Sequence, residues 1–188
     1  MIPDPSHLHI SLSTVFTAEG RKVGIYVLPG FEYTAVSALQ KEFMAAGMMA
    51  MIVAPATGPV KSSSGQTLDA QFTFESSRST YFDCVVFPGG PDDAYAKKLK
   101  MGRLIHVVRE QYMHLKTIGA TGNAIPWVTD MCLPGDFSAS VKEAKDVVQE
   151  NGCVFVNNVG TGVEFAKTYM DGVAQHRCWT RDVSHIAA

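Results

Sequence analysis

The sequence predicts an α/β fold with three layers, in which helices cover both faces of a mostly parallel sheet. Short runs of β-branched and aromatic residues, typical of strands buried on both faces, alternate with stretches whose apolar residues recur every three or four positions. The connections between successive runs are too long for hairpins. Neighbouring strands are therefore expected to be parallel and to be joined by helices.

Five strands are predicted from the continuous apolar runs. They are expected near residues 23–28, 48–53, 84–87, 118–120 and 153–156. Between the second and third strands, the segment ATGPVKSSSGQTLDAQFTF predicts a loop with a short extended hairpin. The sequence shows no internal repeat, and the strands and helices alternate once along the chain, which favours one domain.

Two helices are predicted from apolar stripes. The first stripe consists of Val36, Leu39, Phe43 and Ala46, and Gly47 is expected to end that helix. The second stripe consists of Met101, Leu104, Ile105, Val108, Tyr112 and Leu115. A further helix is expected to open near Asn123, directly after the fourth strand.

The last two helices are predicted from capping patterns, in which a Ser or Thr and a Glu three residues later satisfy the first free N–H groups. Ser140 and Glu143 form one such pattern, and Gly152 is expected to close the helix that follows. Thr161 and Glu164 repeat the pattern ahead of the last helix.

Length and composition set the domain organisation and exclude some partners. Of 188 residues, 46% are apolar and 18% are charged, which suits one globular domain, expected over residues 21–188. Residues 1–20 resemble a linker or N-terminal arm. The formal charge of -2 without a basic run argues against nucleic acid. Because no apolar run approaches the ~20 residues that span a bilayer and no signal-peptide order is present, we expect a soluble chain, cytoplasmic or secreted.

No metal or cofactor site is predicted in this chain. The four cysteines show no CxxC pair, and Cys84 and Cys153 lie inside strand runs, so they are expected to be buried reduced thiols. His106, Glu110 and His114 are spaced for one helix face but lack a metal-binding HExxH pattern, which favours a solvated face. The segments ATGPVKSSSG and GTG lack the full spacing of phosphate-binding loops.

Four turns that follow the strands carry a resemblance to a known family. They are LPGFE, FPGGPDD, GATGN and NNVGTG, at the edge of the predicted sheet where ligands of parallel sheets bind. These turns resemble the flavodoxin-like class I glutamine amidotransferase-like superfamily, which includes PfpI-type proteases, deglycase-like proteins and stress chaperones. The segments YMHLKTIGATGNA and AQHRCWTRD more narrowly resemble the C-terminal flavodoxin-like domain of large-subunit haem catalases.

The superfamily resemblance implies an active-site elbow that has lost its chemistry. It places the nucleophilic cysteine at Thr121, the oxyanion-binding amides at Gly90 and Gly122, and the supporting acid near Ala35. A threonine hydroxyl needs an adjacent base, and none is evident. The elbow is also expected to hold Thr121 at positive φ, which is costly for a β-branched residue. Glu32 is either a displaced acid or a cap of the next helix.

The narrower resemblance implies a non-catalytic domain of a haem catalase. Such a domain is expected to stabilise the catalase core and, like some superfamily members, to bind unfolding client proteins without ATP. Haem would lie in the parent enzyme rather than in this chain. Met48, Met49 and Met51 suit either core packing or a pliable client-binding surface. The alternative is a hydrolase, deglycase or glyoxalase that uses Thr121, and a homo-oligomer remains open.

Overall fold

A computed structural model describes residues 16–90, 102–160 and 162–186 of the chain. Its strands are β1 (Lys22–Tyr26), β2 (Met49–Ala54), β3 (Gly58–Lys61), β4 (Thr67–Ala70), β5 (Phe72–Thr73), β6 (Cys84–Phe87), β7 (Thr117–Thr121), β8 (Val148–Glu150) and β9 (Cys153–Val156). Seven of them form a sheet in the order β5-β2-β1-β6-β7-β9-β8, and β3 and β4 form a separate hairpin. Within the sheet, β8 and β9 are antiparallel and the other pairs are parallel, which confirms the predicted fold class.

Helices cover both faces of this sheet. They are α1 (Tyr33–Ala45), α2 (Gly102–Met113), α3 (Ala124–Pro126), α4 (Ser140–Glu143) and α5 (Val163–Ala174), and α3 continues into a π-helical segment, Trp127–Cys132. The side chains of α1 and α5 pack into one apolar core, and those of α2 and the π-helical segment pack into the other. The domain therefore has the three layers that the alternation of strands and helices predicts.

The predicted stripes of α1 and α2 form the two cores. Val36, Leu39 and Phe43 of α1 are fully buried, and the ring of Phe43 lies 5.3 Å from that of Tyr169 in α5. On the other face, Leu104, Val108 and Tyr112 of α2 are buried, with exposed fractions of at most 1%. The expected positions Met101 and residues 1–15 lie outside the described residues.

The prediction of a long helix after Ser140 is wrong. The helix is a single turn, Ser140–Glu143, and the chain then forms β8, which pairs antiparallel with β9. The turn between these strands is Asn151-Gly152, with φ values of 49° and 69°. Asn-Gly with positive φ at both residues is the preferred two-residue hairpin turn, so this dipeptide overrides the helical pattern.

The predicted capping pattern of the last helix lies partly outside the described residues. Gly162 occupies the N-cap position at φ 78°, and no side chain accepts a hydrogen bond from the first turn there. Glu164 lies in that first turn, whereas Thr161 falls outside the described residues. Gly162 is suited to this position because a Cβ at positive φ would be strained.

The loops after β1, β6, β7 and β9 converge at the carboxyl edge of the sheet. The order β2-β1-β6-β7-β9 is that of a flavodoxin-like sheet. In such a sheet the chain first adds β2 on one side of β1 and then adds β6 on the other side, so the crossover direction reverses between β1 and β6. Crevices form at such a reversal point. The fold thus brings the four turns singled out in the sequence to one site.

Candidate functional site

A cavity of about 320 Å³ lies at the carboxyl edge of the sheet. Glu32 after β1, Gly89 after β6, Thr121 and Gly122 at the end of β7, and Asn157 after β9 all line it. The structure therefore brings together the residues that the resemblance assigned to an elbow. Gly90 follows Gly89 directly, and its backbone N–H is hydrogen-bonded to Asn123, the residue after Gly122.

The expectation that Thr121 has a positive φ is wrong. In the described part of the chain, the non-glycine residues with positive φ are Leu115, Asn151 and His176, while Gly122 has a φ of 53°. The sharp turn is therefore made by Gly122, where no Cβ opposes it. Thr121 is the last residue of β7, in register with Val156 of β9.

The two amides expected to bind an oxyanion donate their hydrogens within the protein. The Gly90 N–H donates to Oδ1 of Asn123 at 2.9 Å, and Nδ2 of Asn123 donates to the Gly90 carbonyl at 2.8 Å. The Gly122 N–H donates to the Val156 carbonyl at 3.0 Å. Asn123 thus clamps the glycine turn to the elbow through both atoms of its amide group.

The hydroxyl of Thr121 also binds the glycine turn. Its Oγ1 accepts a hydrogen bond from the Gly89 N–H at 2.9 Å, and the residue is only 4% exposed. A Cβ at position 89 would lie 3.0 Å from the Thr121 carbonyl oxygen, so Gly89 lets the turn and the elbow approach closely. A hydroxyl held this way accepts a hydrogen bond, and among the described residues of the cavity wall none other than Glu32 carries an ionisable side chain that could act as its base.

Among the described residues that line this cavity, Glu32 is the one with an ionisable side chain. Its Oε2 accepts a hydrogen bond from the Ala35 N–H at 2.6 Å, which caps the amino end of α1. The interpretation of Glu32 as a helix cap is thus confirmed. Ala35, where the resemblance places an acid, contributes only a methyl group.

Asn123 is the functional residue of this turn that sequence reasoning missed. The sequence indicated only that a helix opens near it. An amide side chain can donate and accept at once, so it matches a backbone N–H and C=O pair. The partner lies 33 positions away in the chain, and no local pattern reports that distance.

A second cavity, of about 470 Å³, lies at the opposite end of the sheet. The walls include Phe16 and Trp179, which are 69% and 76% exposed, and the ion pair of Arg21 with Asp83 at 3.5 Å. Met44 in the last turn of α1 and Met49 at the start of β2 are exposed near this end. Phe16, Met44, Met49 and Trp179, with this cavity, are called the amino-end surface below.

Two buried cations hold the structure beneath the amino-end surface. Arg181, 5% exposed, donates to the carbonyls of Tyr112 at 2.8 Å, Lys116 at 3.0 Å and Asn151 at 2.6 Å. Nζ of Lys116 donates to the carbonyls of Ser79 and Phe82, and burial lowers the pKa of this ammonium group. The segment that carries Trp179 is therefore firmly attached to the domain.

The described residues offer little to a metal or a haem. Within residues 16–90, 102–160 and 162–186, no three His, Cys, Asp or Glu side chains gather as ligands. Cys84 and Cys153 are fully buried, and burial raises the pKa of each thiol to about 12, which confirms the prediction of buried thiols. The 470 Å³ cavity has an ion pair in its wall and does not fit a haem, which needs an enclosed apolar pocket with an axial ligand.

The structure bears on two further predictions, the solvated face of His106, Glu110 and His114 and the lack of a membrane-spanning segment. His106 pairs with Glu110 at 2.9 Å on α2, and His106 is 46% exposed at its side chain, in agreement with a solvated face. Among the described helices, none has the length and apolar character that a bilayer crossing requires.

Comparison with protein families and sequences gives a consistent result. The model of a family described as the C-terminal domain found in long catalases matches residues 19–182. Catalase-1 of Neurospora crassa is 29% identical over 183 residues, covering 90% of this chain and 24% of that protein. Catalase HPII of Pseudomonas aeruginosa is 34% identical over 116 residues, covering 62% of this chain and 16% of that protein. The chain spans about a quarter or less of the length of these relatives.

Solved structures with the same fold include DJ-1 proteins. Oxidized Toxoplasma gondii DJ-1 superposes with a TM-score of 0.68 at 18% identity, covering 84% of this chain and 96% of that protein. Schizosaccharomyces pombe DJ-1 gives a TM-score of 0.68 at 22% identity, covering 81% and 91%. These likenesses establish the flavodoxin-like fold. The family match over residues 19–182 shows that the chain belongs to the family of C-terminal domains found in long catalases.

Proposed function

We propose that this domain is non-catalytic, that it stabilises the catalase core of a parent enzyme, and that it binds unfolding proteins without ATP. The observation that carries the proposal is the amino-end surface, where Phe16 and Trp179 are 69% and 76% exposed beside a cavity of about 470 Å³. Large aromatic side chains left in water on an anchored segment favour a binding partner.

The carboxyl-end cavity supports the non-catalytic part of the proposal. Acyl-transfer chemistry needs free donors aimed at the developing oxyanion, and here the N–H groups of Gly90 and Gly122 are bonded to Asn123 and Val156. It also needs a nucleophile with a base, whereas the carboxylate of Glu32 caps α1. A hydrolase, deglycase or glyoxalase role for Thr121 therefore receives no support from the geometry.

The amino-end surface supplies a physical source for binding. A Phe or Trp side chain buries roughly 150 to 250 Å², so the exposed parts of Phe16 and Trp179 amount to roughly 300 Å² of aromatic surface. At about 25 cal/mol per Å², covering that area contributes about 7 kcal/mol before the entropic cost of association. This favourable term is of the same order as the roughly 4 to 15 kcal/mol that association costs, so it supports weak, non-covalent binding of apolar segments without a nucleotide.

The activity of the whole enzyme belongs to the same proposal. Because this domain is the C-terminal one in long catalases, the parent enzyme would be a haem catalase that decomposes hydrogen peroxide. The haem would lie in the part of the parent that precedes this domain. The role of the domain would then be to cover and stabilise the core.

Suppression of aggregation tests the client-binding part. A client enzyme is heated with the domain, without ATP, and light scattering is compared with that of an equal mass of albumin. We expect protection above albumin, unchanged in Thr121→Ala and unchanged or stronger at moderate salt, because apolar contacts are not screened. Protection no better than albumin would leave only the stabilising role.

A matched pair of surface variants tests whether protection comes from exposed aromatic area. Trp179→Ser removes the most exposed aromatic side chain and should reduce protection several-fold, while Val163→Ser, 51% exposed at the opposite end, should not. Equal protection by the two variants would place client binding elsewhere on the domain.

A further inference from the structure

We propose that the amino-end surface is the surface through which the domain binds the catalase core, an inference that rests on the proposed stabilising role; unfolding proteins would then bind this surface where the core is absent, as in the isolated domain. The cavity between Phe16 and Trp179 would receive apolar side chains of the core, and Met44 and Met49 would extend the contact along the same end of the sheet.

The direction from which the chain reaches the domain supports this choice of partner. The family is the C-terminal domain of long catalases, and the relatives are about four times as long as this chain, so most of each relative precedes the matched region. The matched region starts at residue 19, beside Phe16 in the cavity wall. A core attached through this point is held at high effective concentration next to the amino-end surface.

The presentation of Trp179 suits an interface rather than a mobile loop. The Cys178 N–H donates to the Leu115 carbonyl at 2.8 Å, and Arg181 is bonded to three carbonyls. The indole of Trp179 is 76% exposed, and the segment that carries it is fixed on both sides by these hydrogen bonds. A rigid aromatic side chain loses little entropy on binding, and such residues dominate the energetics of interfaces.

Charge and area are consistent with a core-facing surface. Arg21 and Asp83 neutralise one another in the cavity wall at 3.5 Å, and Asp83 also accepts from the Lys22 N–H at 2.9 Å, so this pair favours no charged ligand. The roughly 300 Å² of exposed Phe16 and Trp179 is more than a third of the roughly 800 Å² that each partner contributes to a standard interface.

Hydrogen exchange in the natural enzyme tests the proposal. The backbone N–H groups of Thr17, Trp179 and Thr180 have no hydrogen-bond acceptor among the described residues, so we expect them to exchange rapidly in the 188-residue chain alone. In the full-length holoenzyme that carries this domain, we expect peptides with these amides to exchange about tenfold more slowly or better. Peptides over residues 121–125 and 156–160, at the other end, should exchange equally in both samples.

Variants of the holoenzyme make the test specific. Trp179→Ser and Phe16→Ser replace exposed side chains and should return exchange at residues 16–21 and 175–181 toward that of the isolated chain, while Val163→Ser should leave the holoenzyme pattern unchanged.

Each contrary outcome has its own meaning. Equal exchange in both samples, or slowing confined to residues 121–125 and 156–160, overturns the inference and leaves the stabilising role intact. Slowing in the isolated chain that grows with its concentration identifies a second copy as the partner and also overturns it. A natural polypeptide whose mass equals that of this chain carries no core, and both the stabilising role and the inference then fail.

Discussion

The two ends of the sheet are finished in different ways. At the carboxyl end, the backbone N–H groups of Gly89, Gly90 and Gly122 are paired with groups of the same site. At the amino end, two buried cations bind backbone carbonyls while aromatic side chains lie in solvent. At the carboxyl end these three N–H groups are hydrogen-bonded within the site, whereas at the amino end the side chains of Phe16 and Trp179 remain exposed.

At the carboxyl end, a cavity of the flavodoxin-like fold is present while the N–H groups beside it are hydrogen-bonded within the protein. The elbow, the glycine turn and the cavity are all present, because the order of the parallel strands produces them. The amide of Asn123 and the hydroxyl of Thr121 then occupy the N–H groups of the glycine turn. These internal hydrogen bonds make the glycine turn part of the scaffold of the domain.

The largest expected effect tests the cations of the amino end. Arg181→Met keeps much of the apolar volume but removes donors to two buried carbonyls and one partly buried carbonyl, so we expect the free energy of unfolding to fall by about 3 kcal/mol. Urea denaturation followed by far-UV circular dichroism measures the change.

Arg177→Met is the matched control for that variant. Arg177 is half-buried and donates to the carbonyl of its neighbour His176, so its replacement should cost less than about 1 kcal/mol. If both variants lose the same stability, the amino end does not depend on the buried bonds of Arg181.

The next effect tests the clamp of the carboxyl end. Asn123→Ala removes both hydrogen bonds to Gly90 from an exposed residue, and we expect a loss of about 1 kcal/mol in the free energy of unfolding. Asn158→Ala, which removes a single bond to the Gly160 N–H on the same rim, should cost about half as much. A smaller loss for Asn123→Ala than for Asn158→Ala would contradict the clamp.

The strands and the convergence of the site were accessible to sequence reasoning for a physical reason. A strand covered on both faces must be continuously apolar, so the observed bounds differ from the predicted ones by at most two residues at either end. Parallel strands must also share a carboxyl edge, and this geometry brings Glu32 and Thr121 into one cavity.

The errors occurred where a local signal was outweighed or where a long-range distance decided the outcome. The Ser140 capping pattern was outweighed by the Asn151-Gly152 turn, which pairs β8 with β9. Positive φ was expected at Thr121 but is found at Gly122, where it causes no strain because glycine has no Cβ. The clamp of Asn123 joins residues 33 positions apart, and the exposure of Trp179 depends on packing, so neither has a pattern in the sequence.

The smallest expected effect tests the proposal that the carboxyl end is non-catalytic. Thr121→Cys restores the nucleophile that the superfamily would carry, yet we expect no turnover of peptides, glycated substrates or α-ketoaldehydes. The reason is that Glu32 remains a helix cap, and the N–H groups of Gly90 and Gly122 remain bonded.

The double variant Thr121→Cys with Asn123→Ala sharpens this test, because it also frees the Gly90 N–H. Fluorogenic peptide hydrolysis and methylglyoxal consumption are measured for the single and double variants, with Thr121→Ser as the control that keeps the hydroxyl. Turnover that appears only in the double variant would show that the Asn123 clamp closes the site, since a freed donor contributes about 3 kcal/mol to oxyanion stabilisation. Turnover by the unmodified chain that disappears in Thr121→Ala would instead show that the carboxyl end is a working active site, and the contrast between the two ends would then have to be abandoned.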